Sequence, residues 1–526
     1  MILGMRIHLC LAAALLAVSL VQPEADAQLL EVVNPAMTIN PHNHLSLTIN
    51  FDTTLPATPT VVVEGAGDSW RVPSTGVLTD YPGTNHELAV VGLKANESYS
   101  FQLSASGGGQ AALASEPLSY ETGPLPEGFP EVQILQSNPG AMQGGLTLFG
   151  VARDFPLTSA GFLLAVNSSG SIVWYKQLSV GTTDITPLED GTIAYLDNSG
   201  DLVIIDILGR EVRRITHEDL GVAPMHHELF VLQNGNFLTL STELQVISGY
   251  PGHETYNVVG DTIVELTPNG VLIDEISLFG VLDPFRIPVE VSFNGHLWDN
   301  YYGVVTKDWT HGNAVIEDPA DGHYILSLRH QDMVFKINRQ THELMWVIGE
   351  DLASAPGDDD WPFLNPTFDT LIPRHQHSPV LIAPNHVMLY DNGNFRPVEY
   401  SRPVSYQLHL DSFELEQTFE WIDPDYEPVL FSPFVGDADV LENGNILVTD
   451  GCVAFTVPPY HFWVRIVEIT QPSNDKVWEL KIGDYDDPVS WAGYRADRIA
   501  GLYPIGRLFA DGFESGDTSS WTAAGN

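Results

Sequence analysis

Apolar and polar residues alternate over short stretches along nearly the whole chain, and each stretch is bounded by Gly, Pro, Asn or Asp. A period of two residues is typical of β-strands that bury one face. The 3.6-residue period of a helix is nearly absent. The pattern therefore predicts an all-β protein.

Residues 28–123 predict a separate β-domain. Strands are expected at residues 45–51, 60–64, 86–93 and 99–105. Residues 92–101 are similar to the late strands of a fibronectin-type sandwich, in which a Tyr packs at a strand corner. We expect an N-terminal immunoglobulin/fibronectin-like β-sandwich here, followed by a stiff Pro- and Gly-rich linker at residues 123–130.

A two-part unit recurs after the linker. One part is a strand, a polar turn and a second strand, in six copies at residues 161–176, 200–215, 261–276, 332–349, 405–421 and 462–480. The other part is a strand pair around an Asn-Gly-like turn, at residues 188–191, 233–236, 319–322, 383–386 and 442–445, with a weaker sixth copy at 141–151. Two hairpins make a four-stranded blade, and six blades close into a β-propeller, expected at residues 131–507. Long insertions at residues 248–257, 292–308 and 350–373 predict functional loops.

The two ends of the chain are set apart from these domains. Arg6, the apolar residues 7–21 and the small-x-small sequence at 25–27 predict a signal peptide over residues 1–27, with a membrane anchor as the alternative. The protein is then periplasmic or secreted. Since Cys10 lies in the leader, Cys452 can form no intramolecular disulfide. Residues 508–526 predict a short C-terminal tail with no catalytic role.

The charge of the chain argues against two classes of partner. Asp and Glu total 68 against 22 Lys and Arg, which gives a net charge of −46. Such a surface repels nucleic-acid phosphates and anionic lipids. No phosphate-binding GxxxxGK[ST], no GxGxxG and no HExxH motif occurs. The acidic run at residues 358–360 is interpreted as a surface turn rather than a calcium loop.

Several insertions end at a His that opens the first strand of a new blade. These are His226 with His227, then His311, then His377. Because the innermost strand of every blade starts at the same axial face, we expect these imidazoles to converge around the central channel. Arg329 ends the strand paired with that of His311, and antiparallel pairing should return it to the same face.

This combination of side chains favours an oxyanion over a metal ion. Three His can hold zinc, but the guanidinium of Arg329 would repel a divalent cation. Arg suits the planar recognition of an oxyanion, and Asn313 adds a neutral polar group. The pocket is expected to take a sulfate or phosphate ester, with no metal and no cofactor. His330 and His375 are interpreted as supporting or structural residues.

At these residues the chain resembles a known family, the bacterial PAPS-independent arylsulfate sulfotransferases. The matching motifs are Asp308-Trp309-Thr310-His311-Gly312-Asn313, Ser327-Leu328-Arg329-His330-Gln331, Gln376-His377 and Asp391-Asn392-Gly393. The resemblance covers most of the chain and implies the same order of leader, β-sandwich and six-bladed propeller. Some members carry a propeller disulfide, which this chain cannot form.

The resemblance also implies a reaction. A sulfuryl group moves from an aryl sulfate to a phenolic acceptor through a sulfohistidine, and no cofactor is needed because the donor ester carries the activated group. Carried over, His377 is the nucleophile, while Arg329, His311, Asn313 and His227 bind the sulfuryl oxygens. A His can also protonate the leaving phenolate. His226 can replace His227 by a shift of one residue.

Two other functions stay open at this point. One is a propeller without catalysis that binds ligands or proteins through its loops. The other is an aryl sulfatase that uses water as the acceptor. A homo-oligomer is also possible.

Overall fold

The computed structural model describes residues 28–114, 116–153, 159–249, 255–286, 296–350, 361–454, 461–484 and 489–503. The predicted signal peptide, the tail at 508–526 and the acidic run at 358–360 lie outside the described residues. Nearly all the regular secondary structure of the described part is β-strand, as predicted. Its helical elements are short: α1 His217–Leu220, α2 Asp299–Tyr302, and 3-10 turns at Ser74–Gly76, Leu278–Gly280 and Arg329–Gln331. None of these helices is long and apolar enough to cross a membrane.

Among the described residues, seven strands precede the linker. They are β1 Val32–Ile39, β2 Leu47–Gly65, β3 Asp68–Arg71, β4 Gly83–Val90, β5 Ser98–Gly107, β6 Gln110–Leu113 and β7 Leu118–Glu121. The prediction of separate strands at 45–51 and 60–64 is wrong, because the alternation of buried and less buried residues runs on through β2. The first part of β2 pairs with β1 and β4, and its second part pairs with β3 and β5. Both parts bury apolar residues in one cluster, which supports the β-sandwich; the sandwich itself stays a prediction.

Twenty-seven further strands follow the linker in the described residues. They are β8 Val132–Ser137, β9 Leu146–Arg153, β10 Gly161–Val166, β11 Ile172–Leu178, β12 Thr182–Pro187, β13 Ile193–Asp197, β14 Leu202–Ile205, β15 Glu211–Ile215, β16 His226–Val231, β17 Phe237–Ser248, β18 Thr255–Leu266, β19 Leu272–Ser277, β20 Thr306–Asp308, β21 Gly312–Glu317, β22 Tyr324–Leu328, β23 Met333–Ile337, β24 Leu344–Ile348, β25 Asn365–Pro366, β26 His377–Ala383, β27 His386–Asp391, β28 Arg402–His409, β29 Glu414–Glu420, β30 Asp437–Val440, β31 Ile446–Val453, β32 Trp463–Ile469, β33 Lys476–Ile482 and β34 Trp491–Ile499.

These strands form six sheets, which are the six predicted blades; the four main strands of each blade are antiparallel, while β20 and β25 pair in parallel at the sides of their sheets. Blade 1 is β34-β9-β10-β11, written from the innermost strand outward, and blade 2 is β12-β13-β14-β15. Blade 3 is β16-β17-β18-β19 with β20 beside β18, and blade 4 is β21-β22-β23-β24. Blade 5 is β26-β27-β28-β29 with β25 at its edge, and blade 6 is β30-β31-β32-β33 with β8 at its edge. Each innermost strand contacts the innermost strands of both neighbouring blades, so the ring is closed.

The two ends of the propeller close the ring in two places. β34 comes from the C-terminal end and pairs with β9, while β8 from the N-terminal end pairs with β33. The sixth Asn-Gly-type hairpin predicted at residues 141–151 is therefore wrong. That segment supplies only the second strand, β9, because the first strand of blade 1 is β34, more than 300 residues away along the chain.

Hydrophobic clusters fill the spaces between neighbouring blades. One cluster joins blades 3 and 4, another joins blades 4 and 5, and a third joins blades 5 and 6. The N-terminal region is attached to the outside of blades 1 and 2, where Asn43 Nδ2 donates to the Tyr175 carbonyl at 2.8 Å and Asn40 Nδ2 donates to the Leu208 carbonyl at 2.7 Å. This packing holds the six innermost strands at fixed positions around the channel.

Candidate active site

The innermost strands of blades 3, 4 and 5 begin with the predicted histidines. β16 starts at His226, β21 starts directly after His311, and β26 starts at His377. The register of all three strands shifts within their first few residues, which marks a β-bulge at each start. His227 and His311 adopt left-handed backbone conformations, with φ of 67° and 48°. Such a conformation costs roughly 1–2 kcal/mol for a residue other than Gly, and it is concentrated at functional sites.

The bulges bring the predicted imidazoles together around one tyrosine. The ring centroids of His227 and His311 are 5.2 Å apart. Tyr494, on β34, lies 5.6 Å from the His227 ring and 5.9 Å from the His377 ring. The Arg329 amide donates to the His311 carbonyl at 3.1 Å, as the antiparallel pairing predicts. Blades 1, 3, 4 and 5 therefore all contribute to one cluster.

The protonation of the His377 ring follows from its contact with Asn392. The Nδ2 group of Asn392 donates to the carbonyls of Ser432 at 2.8 Å and Val435 at 2.7 Å. Its Oδ1 atom lies 2.7 Å from His377 Nδ1 and can only accept. His377 Nδ1 must therefore carry the proton in the neutral ring, which leaves Nε2 with a free electron pair.

Burial keeps His377 neutral. The residue is 2% exposed, and burial together with the nearby positive charge of Arg329 lowers the pKa of the imidazole well below its usual range. A neutral imidazole with a free Nε2 is a nucleophile at neutral pH.

Arg329 is a buried cation without a carboxylate partner among the described residues. Its Nη2 group donates to the Pro433 carbonyl at 3.1 Å, and its guanidinium lies 5.2 Å from the Phe434 ring centroid. Its Nε atom is buried without a hydrogen-bond partner. Burial lowers its pKa to about 10, so the group stays charged at neutral pH. By contrast, the buried Arg465 contacts three carboxylates. A buried, unpaired guanidinium suits an anionic ligand.

His311 is backed by a carboxylate. Its Nδ1 atom lies 2.6 Å from Asp308 Oδ2, and its ring stacks on His330 at 4.4 Å. His330 in turn directs Nδ1 to the Asp308 carbonyl at 2.9 Å. Asp308, His311 and His330 form the described set of acidic and His side chains compact enough to hold a metal ion. His311 Nδ1 and His330 Nδ1 both lie at hydrogen-bond distance from atoms of Asp308. This geometry does not test for a metal ion, and the absence of a metal stays a prediction.

His226 lies behind His227 and is fully engaged. Its Nδ1 atom is 2.7 Å from His227 Nδ1, and its Nε2 atom is 3.2 Å from Asp261 Oδ1. With both nitrogens in use, His226 is placed to support His227 rather than to contact a substrate directly. Of the two, His227 is the one whose ring meets His311 and Tyr494.

One comparison decides the family. The sequence model of the arylsulfotransferase (ASST) family matches residues 131–495, which is more than half of the chain. This protein belongs to the arylsulfotransferase family. No curated protein sequence matches the chain.

Solved structures similar to this chain are distant. Dihydro-heme d1 dehydrogenase NirN in complex with DHE has a TM-score of 0.33 and 11% identity, covering 72% of this chain and 84% of that chain. The nidogen/laminin complex has a TM-score of 0.33 and 11% identity, covering 68% and 100%. A putative 6-phosphogluconolactonase from Bacteroides fragilis NCTC 9343 has a TM-score of 0.29 and 10% identity, covering 82% and 98%.

Asn313 is buried in this cluster and supports the strand that begins at His377. Its Nδ2 group donates to the Gln376 carbonyl at 2.7 Å, directly before His377. Its Oδ1 atom is buried without a hydrogen-bond partner. The predicted contact of Asn313 with a substrate stays a prediction. His375 hydrogen-bonds to Asp332 at 2.9 Å, in agreement with its interpretation as a supporting residue.

Sequence reasoning missed Tyr494 and the acidic partners of the histidines. Tyr494 lies in a strand that joins blade 1 only through ring closure, so no local signal marks it. Its hydroxyl donates to the Asn313 carbonyl at 3.3 Å, and burial raises its pKa. Asp308 stands three residues before His311 in a motif already singled out, and that spacing was the available signal. Asp261 opens a repeat copy 35 residues after His226 and gave none.

Proposed function

We propose that this protein transfers a sulfuryl group from an aryl sulfate ester to a phenolic acceptor, through a covalent sulfohistidine at His377. One observation carries the proposal: Asn392 directs the His377 proton to Nδ1 and leaves Nε2 free, in the electrostatic field of the unpaired Arg329 guanidinium. The membership in the arylsulfotransferase family supports the same reaction class.

The first half-reaction uses His377 Nε2 as the nucleophile. Nε2 attacks the sulfur of the donor, the bond from sulfur to the phenolic oxygen breaks, and a phenol leaves after taking up a proton. Negative charge on the sulfuryl oxygens is stabilised by Arg329 and by the N–H and imidazole groups around it. In the related phosphoryl transfers, fixed donors of this kind make the largest contribution to the rate enhancement, because they stabilise the charge of the transition state.

The second half-reaction returns His377 to its starting state. The oxygen of an acceptor phenol attacks the same sulfur and the S–N bond breaks. An imidazole is a good leaving group once the sulfuryl group is attached, and so a neutral His serves both halves of the cycle. The phenol proton must move to a nearby base.

The predicted leader supports a location outside the cytoplasm. Residues 7–21 are apolar and are followed by a small-x-small sequence, as in a signal peptide. We therefore propose a periplasmic or secreted enzyme that acts on small aryl sulfates. Its high negative charge keeps it from nucleic acids and anionic lipids.

A chromogenic assay tests the reaction class. The purified protein is mixed with 4-nitrophenyl sulfate, with and without added phenol, before and after EDTA treatment. We expect nitrophenol release that depends on phenol and is unaffected by EDTA. Release that is independent of phenol would instead identify a sulfatase, and no release would favour a binding propeller. If EDTA removes stoichiometric zinc from the protein and the activity is lost with it, the interpretation of the pocket as an oxyanion site is wrong.

The attachment site is tested by mass spectrometry. Brief exposure to donor alone should add about 80 Da, the mass of one SO₃ on the covalent intermediate, to the peptide that contains His377. His377→Ala should abolish the adduct and the turnover, while Arg329→Lys should slow formation by on the order of 10²–10³ and keep the adduct. An adduct on His227 or His311 would refute His377 as the nucleophile.

A further inference from the structure

We propose that Asp261, His226 and His227 form a proton relay that serves the phenolic oxygen during transfer, with His227 as the group that exchanges the proton with the substrate. The inference rests on the proposed function. Asp261 and His226 act through His227 and are positioning residues. The proposal is carried by the convergence of these three side chains.

Two adjacent histidines in a strand normally point to opposite faces of the sheet. His226 and His227 instead meet through their Nδ1 atoms, 2.7 Å apart. The register shift between His226 and Leu229 and the left-handed backbone of His227 turn the two rings toward each other. A strained conformation of this kind persists when the surrounding structure enforces it, and it is found at functional sites.

The tautomers of the pair follow from Asp261. Its Oδ1 atom lies 3.2 Å from His226 Nε2, while its Oδ2 atom accepts from Thr310 Oγ1 and the Gly312 amide, each at 2.5 Å. These contacts lower the pKa of the buried carboxyl, so it is ionised. An ionised Asp261 requires a proton at His226 Nε2. Neutral His226 then offers Nδ1 as an acceptor, and His227 Nδ1 must carry a proton.

His227 is left with one free nitrogen, Nε2, and its ring lies 5.2 Å from that of His311 within the cluster. Burial and the neighbouring imidazoles lower its pKa well below the usual range. His227 alone therefore holds a second proton poorly. When a proton moves from His227 Nδ1 to His226 Nδ1, the positive charge moves to His226, which faces the carboxylate of Asp261.

The relay balances the proton in both half-reactions. When the acceptor oxygen attacks the sulfohistidine, its proton passes to His227 Nε2, and the Nδ1 proton of His227 passes to His226. The S–O bond forms, the S–N bond breaks, and the electron pair returns to His377. The donor half-reaction starts from the enzyme that this step leaves, with the extra proton on His226, and that proton travels back along the same atoms to the departing phenolate. Positioned acid–base groups of this kind typically contribute 10²–10⁴-fold in rate.

Leaving-group dependence distinguishes a proton relay from a structural role. 4-Nitrophenolate leaves without a proton, whereas unsubstituted phenolate needs one. His226→Asn keeps an acceptor atom near the position of Nδ1 but cannot be protonated. We expect kcat/KM for phenyl sulfate to fall on the order of 10²-fold, and kcat/KM for 4-nitrophenyl sulfate to fall less than about tenfold. Asp261→Asn should show the same selectivity. Equal loss for both donors, in both variants, would overturn the relay.

A control and a second measurement complete the test. His386→Gln changes an imidazole on the second strand of blade 5, where it contacts Ser405 and Thr418, and it should turn over both donors like the wild type. If the wild type turns over neither donor, the proposed function fails, and NMR of ¹⁵N-histidine protein then tests separately the tautomers on which the relay depends. In its neutral form the relay requires a proton at Nε2 of His226 and at Nδ1 of His227. The opposite tautomers would overturn it whatever the activity.

Discussion

The partner behind each imidazole differs in charge, and this difference separates their roles. His377 Nδ1 faces a neutral amide, Asn392, while His311 Nδ1 faces the carboxylate of Asp308 and His226 faces that of Asp261. A carboxylate stabilises an imidazolium far more than a neutral amide oxygen does. The His backed by the amide is thus suited to remain a neutral nucleophile, and the others are suited to hold or pass protons.

Replacing the amide by a carboxylate should move the pH dependence of the nucleophile. In Asn392→Asp, the new charge next to His377 raises the pKa of the imidazole, so the ring is protonated and inactive at higher pH than in the wild type. The burst rate is measured by stopped flow with 4-nitrophenyl sulfate as a function of pH. The acid limb of this pH profile should shift to higher pH. An acid limb that stays in place would show that His377 is not the titrating nucleophile.

Loss of the Asn392 amide also removes two donors from the loop at Ser432 and Val435, so a matched control is needed. Ser401 Oγ donates to the Asn392 and Ser432 carbonyls at 2.8 and 3.2 Å without facing His377. Ser401→Ala should therefore perturb the same loop, slow the burst modestly and leave the acid limb where it is.

At the scale of elements, β34 both closes the ring and carries Tyr494 into the site. Directly before Tyr494, the Gly493 carbonyl approaches Gly451 of β31 so closely that a Cβ added to Gly451 would lie 2.0 Å from that oxygen. The same Cβ would lie 2.7 Å from Val435 Cγ2. Contact of this kind leaves no room for a side chain between blade 6 and the closing strand.

Gly451→Ala should therefore loosen the closure. Overpacking in a close-packed interior costs roughly 1–3 kcal/mol, and we expect a lower midpoint in urea together with lower activity, because Tyr494 moves with β34. Gly501→Ala is the control, since a Cβ there meets no atom within 4 Å. Equal midpoints for the two variants would contradict this account of the closure.

The repeated hairpins made the blades predictable from the sequence, whereas the ring closure could not be predicted. Five blades are contiguous in sequence, so their strand and turn patterns identify them locally. Blade 1 takes β34 from the far end of the chain, and no local pattern links it to β9. In the same way, His311, His377 and Arg329 could be assigned to one face from their place in the repeat. Tyr494 and the contact of His226 with Asp261 depend on pairings between distant segments.

At the scale of the whole molecule, the channel has two ends of different character. Around Tyr494 lie neutral imidazoles and the cationic Arg329. The next residue, Arg495, contacts Glu228 at 2.7 Å and Asp184 at 3.3 Å in a second chamber of about 1180 Å³. Six more carboxylates line that chamber, among them those of Asp437, Asp439 and Asp497. The lining thus holds eight acidic side chains and one described guanidinium.

The excess of carboxylates should make stability depend on pH. Burial, together with the neighbouring acidic groups, raises the pKa of Asp439 to about 6 and that of Asp497 to about 7. A carboxyl whose pKa is raised on folding contributes stability below its unfolded pKa of about 4, and this contribution is lost as pH rises through the folded value. The buried histidines act in the opposite sense, because a lowered His pKa costs stability as pH falls. The profile of the whole protein therefore mixes both effects, and only a difference between variants isolates the carboxylates.

Asp497→Asn imitates the protonated carboxyl at every pH and should remove its share of the dependence. The free energy of unfolding of the variant, from urea titrations, should match the wild type near pH 4 and exceed it at pH 8, by an amount set by the pKa difference at about 1.4 kcal/mol per unit. Asp411→Asn, at an exposed turn on blade 5, should leave the difference between pH 4 and pH 8 unchanged. If Asp497→Asn is no more stable than the wild type at pH 8, the carboxyl is already ionised there without cost, and the chamber must hold a compensating positive charge.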